Sequence, residues 1–189
     1  MNINPYFISK KAIELISSYK TQIDKVIYDF ERNKSLSLFM GIRPTIPNEQ
    51  FPSFEIESSS VSTEWGTARG QRHTCSFKCL VTVSCPKIEI REEYICAMAS
   101  AVTSILKNPR NLQFPIYCDN PIDDRGKYSL TVYDSMVNDT AYSSAREGTI
   151  GIAEFTWVVK VHEKMADILF STVPDQLPNI IKPIIKEVG

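Results

Sequence analysis

The stretch RHTCSFKCLVTVSC, residues 72–85, holds three of the five cysteines in this chain of 189 residues. Its odd-numbered positions from Cys75 onward are cysteine, phenylalanine or valine, and its even-numbered positions are polar apart from Leu80. This alternation has the period of a β-strand with one buried face. We therefore predict a strand that ends at Pro86, and the other elements of the fold must cover its apolar face.

The spacing of the cysteines argues against a metal site or a disulfide within this strand. Cys75 and Cys79 are four residues apart, which is about 13 Å at ~3.3 Å per residue. Two thiols at that separation cannot share a zinc ion, whose ligands lie about 2.3 Å from the metal, and cannot form a disulfide. Pairing with Cys118 on a neighbouring strand stays open, although a reducing cytosol opposes it. We interpret the cysteines as small core residues.

Working outward from this strand, periodicity predicts the remaining elements. Apolar residues at spacings of three and four predict long helices over residues 9–31 and 88–106. Further strands are predicted at 51–58, 112–117, 128–137 and 149–162. The order α-β-β-α-β-β-β indicates an α+β fold, with a mainly antiparallel sheet of about five strands and two long helices on one face. We expect one domain over residues 1–165 and a proline-containing C-terminal arm over 166–189.

Composition narrows the classes of function. The chain has 21 basic and 22 acidic residues, giving a net charge of -1, which does not favour nucleic-acid binding. Its first residues lack the pattern of a signal peptide, and no window approaches the ~18 apolar residues of a membrane helix. We therefore expect no membrane association.

Few residues suggest catalysis. The two histidines, His73 and His162, lie near strand ends, where packing explains them. The loop at 119–126 collects Asp119, Asp123 and Asp124, but lacks the ligand spacing of a calcium loop. Ser104 and Lys107 match a serine acyltransferase pattern without its companion motifs. We predict no catalytic residue, no metal and no cofactor, and hence no enzyme. A small cytosolic enzyme that uses the acidic loop remains an alternative.

Two predicted loops and the arm are candidates for an interface. The loop at 58–71 and the long link at 137–149 carry aromatic and arginine residues, which are common at interface hot spots. Four isoleucines of the arm would be exposed unless they dock on this or a neighbouring subunit. The candidate interface residues are Trp65, Arg69, Arg72, Tyr142, Arg146, Glu147, Ile180, Ile181, Ile184 and Ile185.

Over residues 5–163, the chain resembles the tail terminator (tail completion) proteins of long-tailed phages. The resemblance lies in a long first helix, the strand FPSFEIESSS (51–60), a loop, and the strand RHTCSFKCLVTV (72–83). It continues with the helix REEYICAMASAVTSIL (91–106) and the late strand GTIGIAEFTWVVKVHE (148–163). Element order carries it, and there is no signature residue to transfer.

The resemblance implies a structural virion protein that forms a six-fold ring on the head-proximal end of the tail tube. Such a ring ends tube growth and joins the tail to the neck, after assembly in the host cytoplasm. Its expected partners are further copies of itself, the tube protein, and the sheath and neck or connector proteins. DNA would pass through the lumen only as cargo. A neck, head–tail joining or baseplate component is the alternative within the virion.

Overall fold

The computed structural model describes residues 3–67, 70–108, 116–119, 127–145 and 148–165. Within these ranges the chain forms three α-helices, six β-strands and one turn of 3-10 helix at Asn48–Gln50. The helices and strands are α1 (Tyr6–Ser18), α2 (Lys20–Phe30), β1 (Ser37–Met40), β2 (Ser53–Thr67), β3 (Gly70–Ser84), α3 (Ile88–Lys107), β4 (Ile116–Asp119), β5 (Lys127–Ala145) and β6 (Ile150–Met165).

The six strands form one sheet in the order β1-β2-β3-β6-β5-β4. Only β1 and β2 run parallel, and the other four neighbouring pairs are antiparallel. The predicted α+β class with a mainly antiparallel sheet is therefore confirmed. The sheet has one more strand than expected because β1 spans four residues, too few for an alternation to be recognised.

The stretch at 72–85 is a strand, as predicted. Its apolar positions, including Cys75, Phe77 and Cys79, are fully buried. They join one hydrophobic cluster with the buried side chains of all three helices and of β6, among them Trp157. The helices therefore cover one face of the sheet, and the alternate residues of β3 lie on the other face.

The first predicted helix is two helices. Instead of continuing over 9–31, the chain leaves helical geometry at Tyr19, which separates α1 from α2. The Ser18 hydroxyl donates a hydrogen bond of 2.6 Å to the carbonyl of Leu15, and such bonds compete with the backbone ladder. Because a single residue interrupts the helix, the apolar stripe continues into α2 through the buried Ile23 and Ile27.

Both predicted interface loops are largely strand, so that assignment was wrong. Residues 58–67 continue β2, and 70–71 begin β3. Likewise, most of 137–149 belongs to β5, which ends at Ala145. Two causes hid these strands. Residues 57–64 are exposed on both faces, so polar and apolar residues do not alternate. Bulges at Ser58/Ser60 and Asn138/Ala141 shift the phase of the strands where the loops were predicted.

The remaining elements agree with the sequence within their described ranges. The second predicted helix is α3, and β6 extends three residues beyond the predicted end at 162. Of the strand predicted at 112–117, only residues 116 and 117 are described. They belong to β4, which ends at Asp119. The proposed arm at 166–189 lies outside the described residues, so the division into domain and arm is untested. Among the helices described, none is long and apolar enough to span a membrane.

A smaller apolar cluster covers the other face of the sheet at one end. Ile46 and Phe51, from the connection between β1 and β2, pack against Ile150 of β6. Beside them the Glu55 carboxylate is 2% exposed and accepts a hydrogen bond of 2.7 Å from the backbone N–H of Arg43. Burial raises the pKa of Glu55. This cluster leaves the rest of that face uncovered by described residues.

The cysteine environments predict a sharp order of reactivity. Burial raises the pKa of the Cys75 thiol to about 11, and also raises the pKa of Cys79. At pH 8 a thiol of that pKa is about one part in a thousand thiolate. Cys96 is exposed. We expect a maleimide to modify Cys96 in the native protein and to spare Cys75 and Cys79 until urea unfolds it, as measured by peptide mass spectrometry. Rapid native labelling of Cys79 would contradict the burial of β3.

Candidate assembly surface

On each side of the sheet, a short outer strand covers only part of the long strand beside it, and the rest of that long strand lacks an outer partner among the described residues. β1 pairs with β2 only over Ser53–Ile56, which leaves 57–67 of β2 without a described neighbour on that side. β4 pairs with β5 only as far as Leu130, which leaves 131–145 in the same state. Unpaired backbone N–H and C=O groups on an edge strand are a ready template for a strand from another chain.

Bulges divide each of these edges into regular stretches. On β2 the register shifts at Ser58/Ser60 and again at Glu64/Thr67. On β5 it shifts at Val132/Asp134 and at Asn138/Ala141, and the second shift contains Asp139 at a φ of 41°. The regular stretches of five residues are 60–64 on β2, and 134–138 and 141–145 on β5. Ser62 and Asp134 lie at the same level of the sheet, because Thr74 and Lys160 pair between them, so 134–138 is the β5 stretch level with 60–64. We call 60–64 and 134–138 the straight segments. Bulges protect edges from indiscriminate pairing, so they limit where a partner strand can pair.

The two straight segments match in the direction of their side chains. Val61 lies opposite Cys75 on the helix-covered face, and Ser62 is on the other face. Val137 lies opposite Trp157 on the helix-covered face, and Met136 is on the other face. Antiparallel alignment of the segments centre to centre puts Ser62 opposite Met136 and Val61 opposite Val137. Each face of one sheet would then continue as the same face of the next.

The helix-free face balances its own charges near these edges. Lys78 of β3 pairs with Glu154 of β6 at 2.8 Å, and Lys160 of β6 pairs with Asp134 of β5 at 3.1 Å. The hydrogen bond to Asp134 raises the pKa of Lys160. Exposed pairs of this kind contribute little to stability. They do leave this face hydrophilic without a strong charge of either sign.

The predicted interface residues do not form one patch. Trp65, by its backbone, and the exposed Arg72 lie near the end of the sheet where β2 turns into β3. Tyr142 lies near the opposite end, because Ala153 is its partner on β6 whereas His162 is the partner of Arg72. Nine residues of strand separate these two levels, or about 30 Å. The other candidates, Arg69, Arg146, Glu147, Ile180, Ile181, Ile184 and Ile185, lie outside the described residues.

The sequence analysis missed a buried polar chain at the β2–β3 end of the sheet. The hydroxyl of Thr63 is 3.0 Å from Nδ1 of His73, and Nε2 of His73 is 2.8 Å from a carboxylate oxygen of Glu163. His73 is 1% and Glu163 4% exposed. This series of polar contacts joins β2, β3 and β6 and gives both ring nitrogens of His73 a partner. Thr63 falls in a predicted loop and Glu163 lies one residue past the predicted strand, so periodicity gives no signal that these side chains meet.

Little of the acidic loop, on which the enzyme alternative depends, is described by the structure. Asp119 ends β4, and Asp123 and Asp124 lie outside the described residues. In the part of the chain that the structure describes, no group of three or more histidine, cysteine or acidic residues could hold a metal ion.

Comparisons with known proteins gave structural likenesses but no family. No family model matches the chain, and no curated protein matches it. Among solved structures, it is similar to a chain in the virion of a native gene transfer agent particle, at 11% sequence identity and a TM-score of 0.40. The likeness covers 74% of this chain and 93% of that one. It is loose, and the proposals below therefore rest on the geometry of this chain.

The His73–Glu163 contact predicts strong coupling between two distant residues. Replacing His73 with leucine leaves a buried carboxylate without its partner, which costs roughly 3–5 kcal/mol. We expect the double variant His73→Leu/Glu163→Leu to regain most of that loss, because an apolar pair of similar volume is often as stable as a buried hydrogen-bonded pair. The measurement is the free energy of unfolding from urea titration.

The exposed pair Lys78–Glu154 is the matched control. Alanine at either position should cost less than about 1 kcal/mol, with little coupling, because solvent screens the charges. The single variant Glu163→Leu completes the comparison. If the loss of unfolding free energy in the double variant equals the sum of the losses in His73→Leu and Glu163→Leu, the two residues do not stabilise the sheet as a unit.

Proposed function

We propose that this protein is a structural subunit of a phage-like particle that assembles head-to-tail with copies of itself into a closed ring. We further propose that the ring caps the head-proximal end of a tail tube, ends its growth and joins the tail to the neck. The observation that carries the proposal is a pair of edges on opposite sides of one sheet that lack an outer partner among the described residues, with straight segments at the same level.

Two different edges, whose side chains match in direction, favour a ring over a two-fold dimer. A two-fold dimer buries the same surface on both subunits, whereas contact between β2 of one copy and β5 of the next is heterologous. A heterologous contact leaves one β2 edge and one β5 edge free until the assembly closes. Rings form when the rotation between neighbours closes, and a six-fold ring is the form that the resemblance to tail terminators implies.

Strand direction is compatible with such a ring. Within the sheet β2 runs antiparallel to β5, because three antiparallel pairings separate them. If the ring axis runs parallel to the strands, the rotation that relates one copy to the next leaves the direction of every strand unchanged. The β2 of a neighbouring copy would therefore meet this β5 antiparallel, which is the arrangement of all but one of the pairs already in the sheet.

The two faces of the sheet suit different surroundings in the ring. One face is buried under the helices, and the other carries hydroxyl groups and self-compensated ion pairs such as Lys78–Glu154. In this proposal the helices lie on the outside and the helix-free face lines the water-filled lumen, through which DNA passes. Near-neutral charge there suits passage, since a strongly basic lining would bind the phosphates.

The resemblance of the sequence to tail terminators supplies the proposed position and partners. These partners are the tube protein below the ring, the neck or connector above it and, in a contractile tail, the sheath. The role is structural rather than catalytic in this proposal. A ring in the neck or baseplate would use the same edges, so position in the particle has to be measured.

Charge changes at the straight segments test the edge contact. With Ser62→Glu and Met136→Glu in one chain, like charges would face each other across each contact. We expect association to weaken by up to about fivefold per contact, compounding around the ring. The variant Ser62→Glu/Met136→Lys should recover it. Particle mass is measured by light scattering and native mass spectrometry over a range of protein concentrations.

A glutamate on an inner strand is the control for added charge. Ser76→Glu lies on the same face as Ser62, but β3 has strands on both sides. It should associate like the unaltered protein. If all three variants assemble alike, or if Ser76→Glu is the one impaired, the β2–β5 contact is wrong.

Immunogold electron microscopy of purified particles and isolated tails tests the proposed position. Label confined to the head-proximal tail end is the result expected of a terminator. Label at the distal end would make the protein a baseplate component, and label above the tail would make it a neck component. Particles without label, although the protein is present in the lysate, would overturn the virion role.

A further inference from the structure

A buried arginine lies at the opposite end of the sheet from the His73–Glu163 pair. Arg91, in the first turn of α3, is 5% exposed. Its Cγ and Cδ lie 3.0 Å and 3.4 Å from where a Cβ would stand on Gly151, so the side chain passes closely over that glycine. One terminal nitrogen is 3.5 Å from the corresponding point on Gly148. The guanidinium therefore lies beneath the turn between β5 and β6.

This guanidinium lacks a charged partner in the described part of the protein. Among the described residues, neither an ion pair nor a side-chain hydrogen bond involves Arg91. Arginine does not deprotonate in proteins. None of the Arg91 nitrogens is among the fully buried side-chain atoms that lack a partner, so the stem is buried while the charged end reaches solvent. A guanidinium held in this way is a position where an anion would bind favourably.

The arginine faces an open pocket with further groups suited to an anion. The pocket has a volume of about 250 Å³ and lies between the first turns of α3, with Ile88, Arg91 and Glu92, and residues 142–144 of β5. Ser144, which pairs with Gly151 on the helix-covered face, adds a hydroxyl group. The 20-residue helix α3 begins here without a side-chain cap, so its free backbone N–H groups and its dipole add positive potential.

The size and charge of the pocket select the class of anion. Drug-sized ligands occupy pockets of roughly 300–1,000 Å³, so this one suits a smaller group. Glu92 contributes a negative charge to its wall, which disfavours a doubly charged phosphate. A carboxylate carries one charge and matches the planar fork of a guanidinium. The side chains of Ile88 and Ile95 offer apolar contact to a short alkyl stem.

We propose that this pocket is a carboxylate-binding site, in which Arg91 pairs with the carboxylate of a short alkyl acid or of an acidic side chain from a second copy of the chain. The inference does not depend on the ring, because the pocket and the guanidinium, which has no ion-pair partner among the described residues, belong to a single chain. Tyr142, expected from the sequence to be an interface residue, would act here as part of the wall of the pocket.

Thermal unfolding with sodium propionate, at constant ionic strength against sodium chloride, tests the site. We expect a saturable rise in Tm of about 3 °C that phosphate does not reproduce and that disappears in Arg91→Met. Gly151→Ala provides a second variant, because it keeps the charge but crowds the arginine stem, and it should weaken binding. A propionate response that is absent, or unchanged in both variants, would overturn the proposal.

Protein concentration and one further variant distinguish the sources of the carboxylate. A response at all protein concentrations indicates a site for free acids. A response seen only after dilution, with weaker self-association of Arg91→Met by light scattering, indicates a carboxylate from a second copy. Glu147 precedes Gly148 in the chain. A response that appears only in Glu147→Gln would mean that the chain fills its own pocket, and would overturn a ligand from outside.

Discussion

The uninterrupted pairing of β3 with β6 is the constraint on which the rest of the structure depends. Fifteen consecutive residue pairs, from Gly70 with Lys164 to Ser84 with Ile150, follow without a shift in register. Because side chains alternate between faces, one slip would move Cys79 and Phe155 from the core to the helix-free face. The two flanking pairings, β2–β3 and β5–β6, contain two bulges each. Irregularity is thus confined to the edges, where it determines which segments another strand can approach.

An ionisable side chain of a largely buried residue lies at each end of this central pair of strands, and the two have different surroundings. At one end Glu163 is paired with His73, whose second ring nitrogen is held by Thr63, so the polar groups have partners within the sheet. At the other end Arg91 packs over Gly151 beside an open pocket. The first arrangement stabilises a fixed geometry. The second leaves a site that an anion would complete.

The sequence predicted elements well where one face is buried along their whole length. The alternation from Cys75 onward and the apolar stripe of α3 report such burial, and both elements were placed within a few residues. The prediction failed where burial does not distinguish one face of an element from the other. β1 is too short, Tyr19 breaks a helix without breaking its stripe, and the outer parts of β2 and β5 are exposed and bulged. None of the interface residues predicted from the sequence lies in the straight segments 60–64 and 134–138, because position on an edge depends on topology and register.

The groups proposed to join one copy to the next are main-chain N–H and C=O groups, which nearly every residue carries. What distinguishes residues 60–64 and 134–138 is their position on an edge, their freedom from bulges, their shared level in the sheet and the matching direction of their side chains. None of these properties requires a particular residue type, since Ser62 and Met136 meet the same geometric condition with unrelated side chains. An assembly surface of this kind can therefore persist while its sequence diverges. For such a protein, topology and register carry the functional information that a catalytic motif carries in an enzyme.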